Sequence, residues 1–457
     1  MKTRISILLC AILAIACSKD DNEGNSGGGT SGALLKSSSG WKKTGTIEYS
    51  ASTTGFEGSQ AMTPYDLASV GNELALLYSE DYKLTSYLGN KVFKVKFAPD
   101  AGNISGSIPL QRGGYSFCTS TRFIPGSFNP VYVKISNDNP SMSYTCMIAT
   151  EDGGFIAGNN LGAKPIAPIN WYPDGGLTMS LKWSAANGNI SDALSYTFPN
   201  PGNFTVTENQ WSLDPTRWIQ TSALRLSGGE INQFILSREN DKVFFSIIKD
   251  DPSYVATNGV QHNFFMLARK EIPGLVGSNF DPNCIIASTV VNDKYTVLIG
   301  ESGNGTHSFP VIKKVHCYQW QKGSAEFTKL YGDIAVPEDV GANLMLRNSI
   351  GEYPVIGFGA PVKFTPDGTA YMLYNYSPSN YVQNDEYTAL VTLSPSGAKI
   401  MGKYAAADYP EGFYDQVGLG VCQYHNGAYY AVVFQRNEVI YSKNDPKFRM
   451  EIVKLVP

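Results

Sequence analysis

The side chains able to do chemistry are few and scattered. Four histidines occur, His262, His307, His316 and His425. None stands in the H-x-x-x-H or H-E-x-x-H spacing that sets two imidazoles on one helix face around a metal. His316 and Cys317 are adjacent, but neighbouring residues of a strand point to opposite faces, so they share no ligand position. No G-x-S-x-G elbow, Walker loop or dinucleotide fingerprint supplies a nucleophile or cradles a phosphate. The sequence therefore predicts no catalytic residue, no metal and no cofactor. Paired carboxylates of the glycosidase kind leave no local motif and stay open. Aromatic rings, by contrast, are abundant: 27 Tyr, 22 Phe and 6 Trp. A ring covers apolar area at small entropic cost, and on an amide-rich surface that is the chemistry of sugar or flat-ligand recognition.

The rings must be positioned by something, and the pattern that recurs is a hairpin. An apolar run, a two-residue turn and a second alternating run appear at 67–78, 148–158, 235–247, 287–299, 362–373 and 421–433. The turn pairs are Gly71-Asn72, Asp152-Gly153, Asn240-Asp241, Asn292-Asp293, Asp367-Gly368 and Asn426-Gly427, types that tolerate the positive φ of a type I′ turn. Most copies precede two further alternating runs, such as VFKVKF with NISGSIPL and MSLKW with NISDALSYTF. Each unit reads as a four-stranded antiparallel meander, with no helical segment of useful length between units.

Repeated units of this kind, together with the glycine-rich copy IATEDGGFIAGN, resemble the blades of a β-propeller. The resemblance spans residues 41–457 and implies an all-β ring of four-stranded blades around a channel. Six blades are preferred, and the segments 112–143 and 198–230 leave room for a seventh. An orphan strand at 41–50 and a last strand at 449–456 are expected to pair and close the ring, hiding both edges. A double-sheet sandwich is the structural alternative. The turns depart from the sialidase Asp-box, lacking its Ser-x-Asp-x-Gly-x-Thr-Trp pattern.

If each hairpin joins strands one and two, the connections from strand two to strand three share the opposite end. They are long in all six units, at 79–90, 159–176, 249–262, 301–310, 375–386 and 435–447. Blade connections 113–130 and 200–218 are enlarged on the same side. Long loops without structure of their own are usually functional. This end therefore carries the predicted ligand site: Trp171, Tyr172, Trp211 and Trp218, with Tyr82, Tyr87, Tyr254, His307, Tyr376 and Tyr381. Trp183 and Trp320 fall within strand runs and are expected in the core.

Compartment is read from the start of the chain. Residues 1–16 carry two cations and an apolar run too short to span a bilayer, the form of a signal peptide. The sequence Ala14-Ile15-Ala16-Cys17 resembles a bacterial lipobox, which implies cleavage before Cys17 and lipidation of its thiol; an ordinary secretory signal with Cys17 incidental is the alternative. Residues 17–40 form a Gly/Ser-rich tether. Its Asp20, Asp21 and Glu23 resemble the export signal of Bacteroides-type surface lipoproteins, implying an outer-membrane protein facing outward and held to the membrane by lipid alone. Five further cysteines without C-x-x-C spacing favour no disulfide framework, and Cys146, Cys284 and Cys422 sit in apolar runs as small core residues.

Composition agrees, with 42 % hydrophobic and only 17 % charged residues, which excludes wholesale disorder. Loss of Lys2 and Arg4 with the leader takes the formal charge from −4 to about −6, with no basic stripe for nucleic acid. The expected function is capture of a glycan or other small organic ligand at the cell surface, with an outer-membrane transporter as a possible recipient. A glycoside hydrolase or polysaccharide lyase on the same face is the first alternative, and an adhesion or scaffold protein the second.

Overall fold

The computed structural model describes residues 40–48, 60–83, 88–109, 116–123, 128, 130–136, 143–149, 155–162, 166–171, 177–184, 190–198, 207–212, 218–226, 230–250, 264–280, 284–303, 311–349, 362–376, 387–405, 417–435 and 449–457. They form seven sheets, six of them four-stranded and one five-stranded, antiparallel throughout except for one short parallel pairing in the last. After β1 (Lys42–Glu48), sheet I takes β2 (Gln60–Val70), β3 (Glu73–Lys83), β4 (Leu88–Phe97) and, past the short β5 (Gly102–Ile104), β6 (Ile108–Pro109). Sheet II is β7 (Ser116–Phe123), β8 (Pro130–Ser136), β9 (Ser143–Ala149) and β10 (Phe155–Gly162). Sheet III is β11 (Ile166–Trp171), β12 (Leu177–Ser184), β13 (Ile190–Phe198) and β14 (Thr207–Ser212).

Sheet IV follows with β15 (Trp218–Arg225), β16 (Ile231–Glu239), β17 (Lys242–Asp250) and β18 (Phe264–Val276). Sheet V holds β19 (Ile285–Val291), β20 (Lys294–Gly303), β21 (Val311–Gln321) and β22 (Phe327–Ala335). Sheet VI holds β23 (Lys363–Phe364), β24 (Ala370–Tyr376), β25 (Tyr387–Ser394) and β26 (Gly397–Ala405). Sheet VII orders β27 (Val417–His425), β28 (Ala428–Gln435) and β29 (Arg449–Leu455) before β1 and β5.

The two chain ends meet as expected. Strand β1 pairs with β29 from Lys42↔Lys454 to Glu48↔Arg449, so residues from opposite ends of the sequence complete one sheet. Trp41 is buried there and its indole N–H donates to the carbonyl of Gly402. Gly402 has φ 56°, and a Cβ at this position would collide with the indole. A glycine is thus required twice over, by the left-handed backbone and by the close approach.

Several expectations are corrected. The hairpin at 148–158 is β9–β10, strands three and four of sheet II, and the one at 235–247 is β16–β17, strands two and three of sheet IV. MSLKW and NISDALSYTF lie in β12 and β13 of a separate sheet III. The number of sheets therefore exceeds the six hairpins, because a turn marks a reversal of the chain and not the rank of its strands. NISGSIPL is split: β5 pairs in parallel with β1, while β6 pairs with β4.

Turn chemistry also varies. Asn240-Asp241, Asn292-Asp293 and Asn426-Gly427 have positive φ at both residues, as a type I′ turn demands. At Asp367-Gly368 only Gly368 is left-handed, and a wider loop is closed by Thr365 N–H to Thr369 O at 2.9 Å. A helix was not expected, yet α1 (Glu338–Ser349) links sheets V and VI. Its signals were present: Pro337 before the first turn, Glu338 and Asp339 within it, and Val340 and Leu344 four apart, both buried. Gly341 lets α1 approach β21, since a Cβ here would run into the Ile312 carbonyl. Among the described residues no helix is long and apolar enough to cross a membrane.

The core is a succession of apolar layers between neighbouring sheets. Leu77 and Val92 of sheet I meet Phe123 and Phe128. Phe234 and Phe245 of sheet IV meet Tyr295, Tyr318 and Trp320 of sheet V. Sheet V, α1 and sheet VI enclose Val340, Leu344, Met372 and Tyr374. Sheets VI, VII and I share a layer through Leu67, Tyr371, Tyr404 and Val432. First strands pack together, β2 against β7 and β27, and β15 against β11 and β19, with β12 also reaching β15.

Candidate functional site

The sequence-predicted aromatics do not all land on one loop cluster. Trp171 ends β11 opposite Leu177, Trp211 lies within β14 opposite Ala193, and Trp218 begins β15 opposite Ser237. Tyr82 is inside β3, whose ladder with β4 continues to Lys83↔Leu88, so most of the expected loop 79–90 is sheet. Bulky aromatics favour the pleated strand, which extends these ladders past the boundaries that Gly and Pro suggested. Tyr172, Tyr87, Tyr254, His307, Tyr381 and Cys17 lie outside the described residues.

Strand rank moves three more. The connection after Trp171, which holds Tyr172, joins strands one and two of sheet III, and that holding Tyr254 joins strands three and four of sheet IV. These are the sheet ends opposite the strand two-to-three connections. Among the described residues, Tyr82 and Tyr376 lie on second strands, towards the two-to-three connections, and Trp211 and Trp218 flank the connection from sheet III to sheet IV.

Tyr376 is the predicted residue around which a built arrangement stands. It closes β24 directly opposite Tyr387, the first residue of β25. The two rings stack, with centroids 4.8 Å apart and planes 21° from parallel. Tyr374, buried and two residues earlier on the same face, meets Tyr387 edge-on at 5.8 Å. The exposed Lys403 of β26 places its Nζ 4.3 Å from the Tyr387 ring centre. Tyr376 and Tyr387 are half-buried against the layer between sheets V and VI, beside α1. Burial first, and the neighbouring Tyr387 next, push the Tyr374 hydroxyl well above the usual tyrosine range, so it stays protonated. The arrangement can stack a ligand and offer hydroxyls. Sequence reading missed Tyr374, Tyr387 and Lys403, although the alternation Tyr374-Asn375-Tyr376 before an amide-rich segment was a usable signal.

Two other polar clusters are structural. His316 is fully buried; its Nε2 lies 2.8 Å from Glu301 Oε1, and its Nδ1 accepts the Asp333 backbone N–H at 3.2 Å. Ligand-type atoms of Glu301, His316 and Asp333 all lie within 4.8 Å of one another, the compactness a cation would need. These contacts assign the neutral Nε2–H tautomer, which leaves the ring no lone pair for an ion. Asn279 Nδ2 donates to the second Glu301 oxygen at 3.2 Å, and Lys329 holds Asp333 at 3.0 Å. The other cluster joins Asp66, Lys363 and Gln423 on the first strands of sheets I, VI and VII.

Cys284, Cys317 and Cys422 are buried and form no disulfide among the described residues, and burial pushes the Cys317 thiol up to about 12, which makes it a poor nucleophile. Trp320 is a core residue, as expected, and its indole donates to Ser324 O at 2.8 Å. Trp183 sits in β12.

No protein family matches this sequence, and no curated protein does. Solved structures with some likeness include polysaccharide lyase Uly1, at 11% identity and TM-score 0.39, covering 92% of this chain and 98% of that one. The Dos1 propeller matches at 7% identity and TM-score 0.40, covering 91% and 95%. An acylaminoacyl peptidase from Pyrococcus horikoshii matches at 9% identity and TM-score 0.40, covering 85% of this chain and 51% of that one. This chain thus spans about half of the peptidase. Likenesses this distant bear on neither activity nor ligand.

Proposed function

We propose that this chain is a lipid-anchored, outward-facing surface protein that captures a glycan or other small organic ligand without transforming it. In this reading the seven sheets are the blades of a propeller, and the β1–β29 pairing closes the ring. The signal-like residues 1–16, lipidation at Cys17 and the tether 17–40 fix it to the outer membrane, from which a bound nutrient passes to a transporter. The ligand site lies at the ends where strands two and three are joined and includes Tyr376, with His307, Trp211, Trp218, Tyr82, Tyr87 and Tyr381 as further candidates there. Trp171, Tyr172 and Tyr254 are retained as candidates for the opposite ends.

One observation carries the reading. The stacked, half-buried Tyr376–Tyr387 pair stands at the entry to the connection 377–386. The test is to load the mature protein, residues 17–457, with a panel of glycans and small organic ligands, reading binding by calorimetry and turnover by product release. Binding with no product supports capture. Product formation replaces this reading with the carbohydrate-active enzyme, and a panel without binding refutes it. Cys17→Ala is expected to release the protein from membranes, and wild type found wholly in the soluble fraction would refute the anchor.

A further inference from the structure

We infer that the bulge at Gly332 and Asp333 is a proton-operated switch, in which Asp333 changes from holding His316 by its backbone to holding it by its carboxylate. The inference stands apart from the capture reading. In the ladder between β21 and β22, Val315 faces Ile334 and Cys317 faces Tyr331, so His316 alone is opposed by two residues, Gly332 and Asp333. A bulge of this kind interrupts the ladder and leaves its extra residue unpaired there. The Asp333 N–H donates instead to the imidazole, reaching His316 Nδ1 at 3.2 Å. The backbone bends tightly to do so: Asp333 has φ 58°, and a Cβ on Gly332 would come within 2.9 Å of Nδ1.

A second proton on the ring, taken from solvent, ends this arrangement. Nε2–H keeps its acceptor, Glu301 Oε1 at 2.8 Å, but a new Nδ1–H points at the Asp333 N–H, donor against donor. The acceptor that suits Nδ1–H is close by, since a carboxylate oxygen of Asp333 lies within 4.8 Å of the imidazole. Lys329 holds that carboxylate outward, with Nζ 3.0 Å from Oδ2. Turning it inward takes Asp333 out of the left-handed region, which is costly for a residue with a Cβ, and leaves the Lys329 ammonium to solvent. The charged groups that act on the ring are Glu301 from β20 and Asp333 and Lys329 from β22. Lys314 of β21 acts on Asp333, and α1, which also packs on β21, carries Glu338 and Asp339 in its first turn. Burial first depresses the His316 pKa, against the pull of Glu301 and Asp333. The backbone-held state therefore prevails above the usual histidine value of about 6.5, and the carboxylate-held state forms below it.

The experiment titrates the mature protein from about pH 7.5 to about pH 5, in EDTA so that no cation competes for the ring. Nitrogen NMR on ring-labelled histidine reads the proton on each His316 nitrogen, assigned by its loss in His316→Gln. Amide NMR on labelled aspartate reads the Asp333 N–H, assigned by its loss in Asp333→Asn. Expected at the upper pH is a proton on Nε2 and none on Nδ1. On acidification Nδ1 should gain its proton and the Asp333 amide should shift with the same midpoint. In His316→Gln the Asp333 amide should stay in place across the range. Asp333→Asn tolerates the left-handed backbone but lacks the charge, so its ring should charge at a lower pH than in wild type. A ring that charges while the Asp333 amide stays still, or an amide that moves with a midpoint of its own, would overturn the switch. So would a ring neutral down to about pH 5 in the folded protein, an unchanged midpoint in Asp333→Asn, or unfolding of the whole chain before any local change.

Discussion

Lys363 Nζ lies 2.8 Å from Asp66 Oδ1, an ion pair between residues of β23 and β2 that spans the first strand of the sheet between them. The ammonium also donates to Leu67 O at 2.8 Å and to Gln423 Oε1 at 3.1 Å, so its three donors are all used. Asp66 in turn accepts the Leu67 N–H at 2.9 Å and the Phe123 N–H at 2.9 Å. Four sheets, VI, VII, I and II, are thereby tied through one nearly buried charge pair whose lone pairs and protons are satisfied.

Breaking one side of that pair should cost much more than replacing both. Asp66→Ala leaves a buried ammonium and an orphaned Phe123 amide, for an expected loss of about 3–5 kcal/mol. Asp66→Leu combined with Lys363→Met should recover part of it, because the stranded charge is gone. Chemical denaturation of the single and double variants measures this, and equal losses in both would refute the clamp.

Stability should fall as pH drops below about 6.5, the usual histidine value. Burial depresses the pKa of His316 against the pull of Glu301, and burial with Lys454 nearby depresses that of His425. The unfolded chain therefore takes up these protons at a higher pH than the folded one. Their stabilising effect is complete above the unfolded pKa and is lost as pH falls towards the folded values. Each histidine contributes a slope of at most about 1.4 kcal/mol per pH unit. His316→Gln should flatten only its own share between pH 7.5 and pH 5, read from denaturant midpoints at each pH; an unchanged slope would contradict the assignment.

Gly341→Ala tests whether packing outweighs propensity. In an isolated helix the change would stabilise by about 1 kcal/mol. Here the new methyl meets the Ile312 carbonyl, and overpacking of this kind costs about 1–3 kcal/mol. A lower melting temperature is expected, and a higher one would mean that α1 is free to shift from β21.

Deleting residues 41–48 should destabilise the whole domain. It removes the buried Trp41 and Ile47, leaves β29 with an open edge, and strips Glu451 of Lys43 at 2.9 Å. Melting should stay one transition and move down. A truncated protein that melts at the wild-type temperature would show that the terminal pairing contributes nothing.

The sequence by itself determined what depends on neighbours along the chain. Alternating apolar runs and turn pairs such as Asn292-Asp293 specified strands and reversals, because side-chain alternation and positive φ are local properties. The pairing of 42–48 with 449–455 was legible too, since each run lacked a local partner. Rank within a sheet was decided only in three dimensions: β9–β10 and β2–β3 are equally good hairpins, and only packing against other sheets makes one of them inner and the other outer. The same holds for the aromatic stack and the charge clamp. Tyr376 meets Tyr387 through a cross-strand register, and Asp66 meets Lys363 at a separation of 297 residues, contacts set by how the strands are assembled and by no spacing that the chain displays.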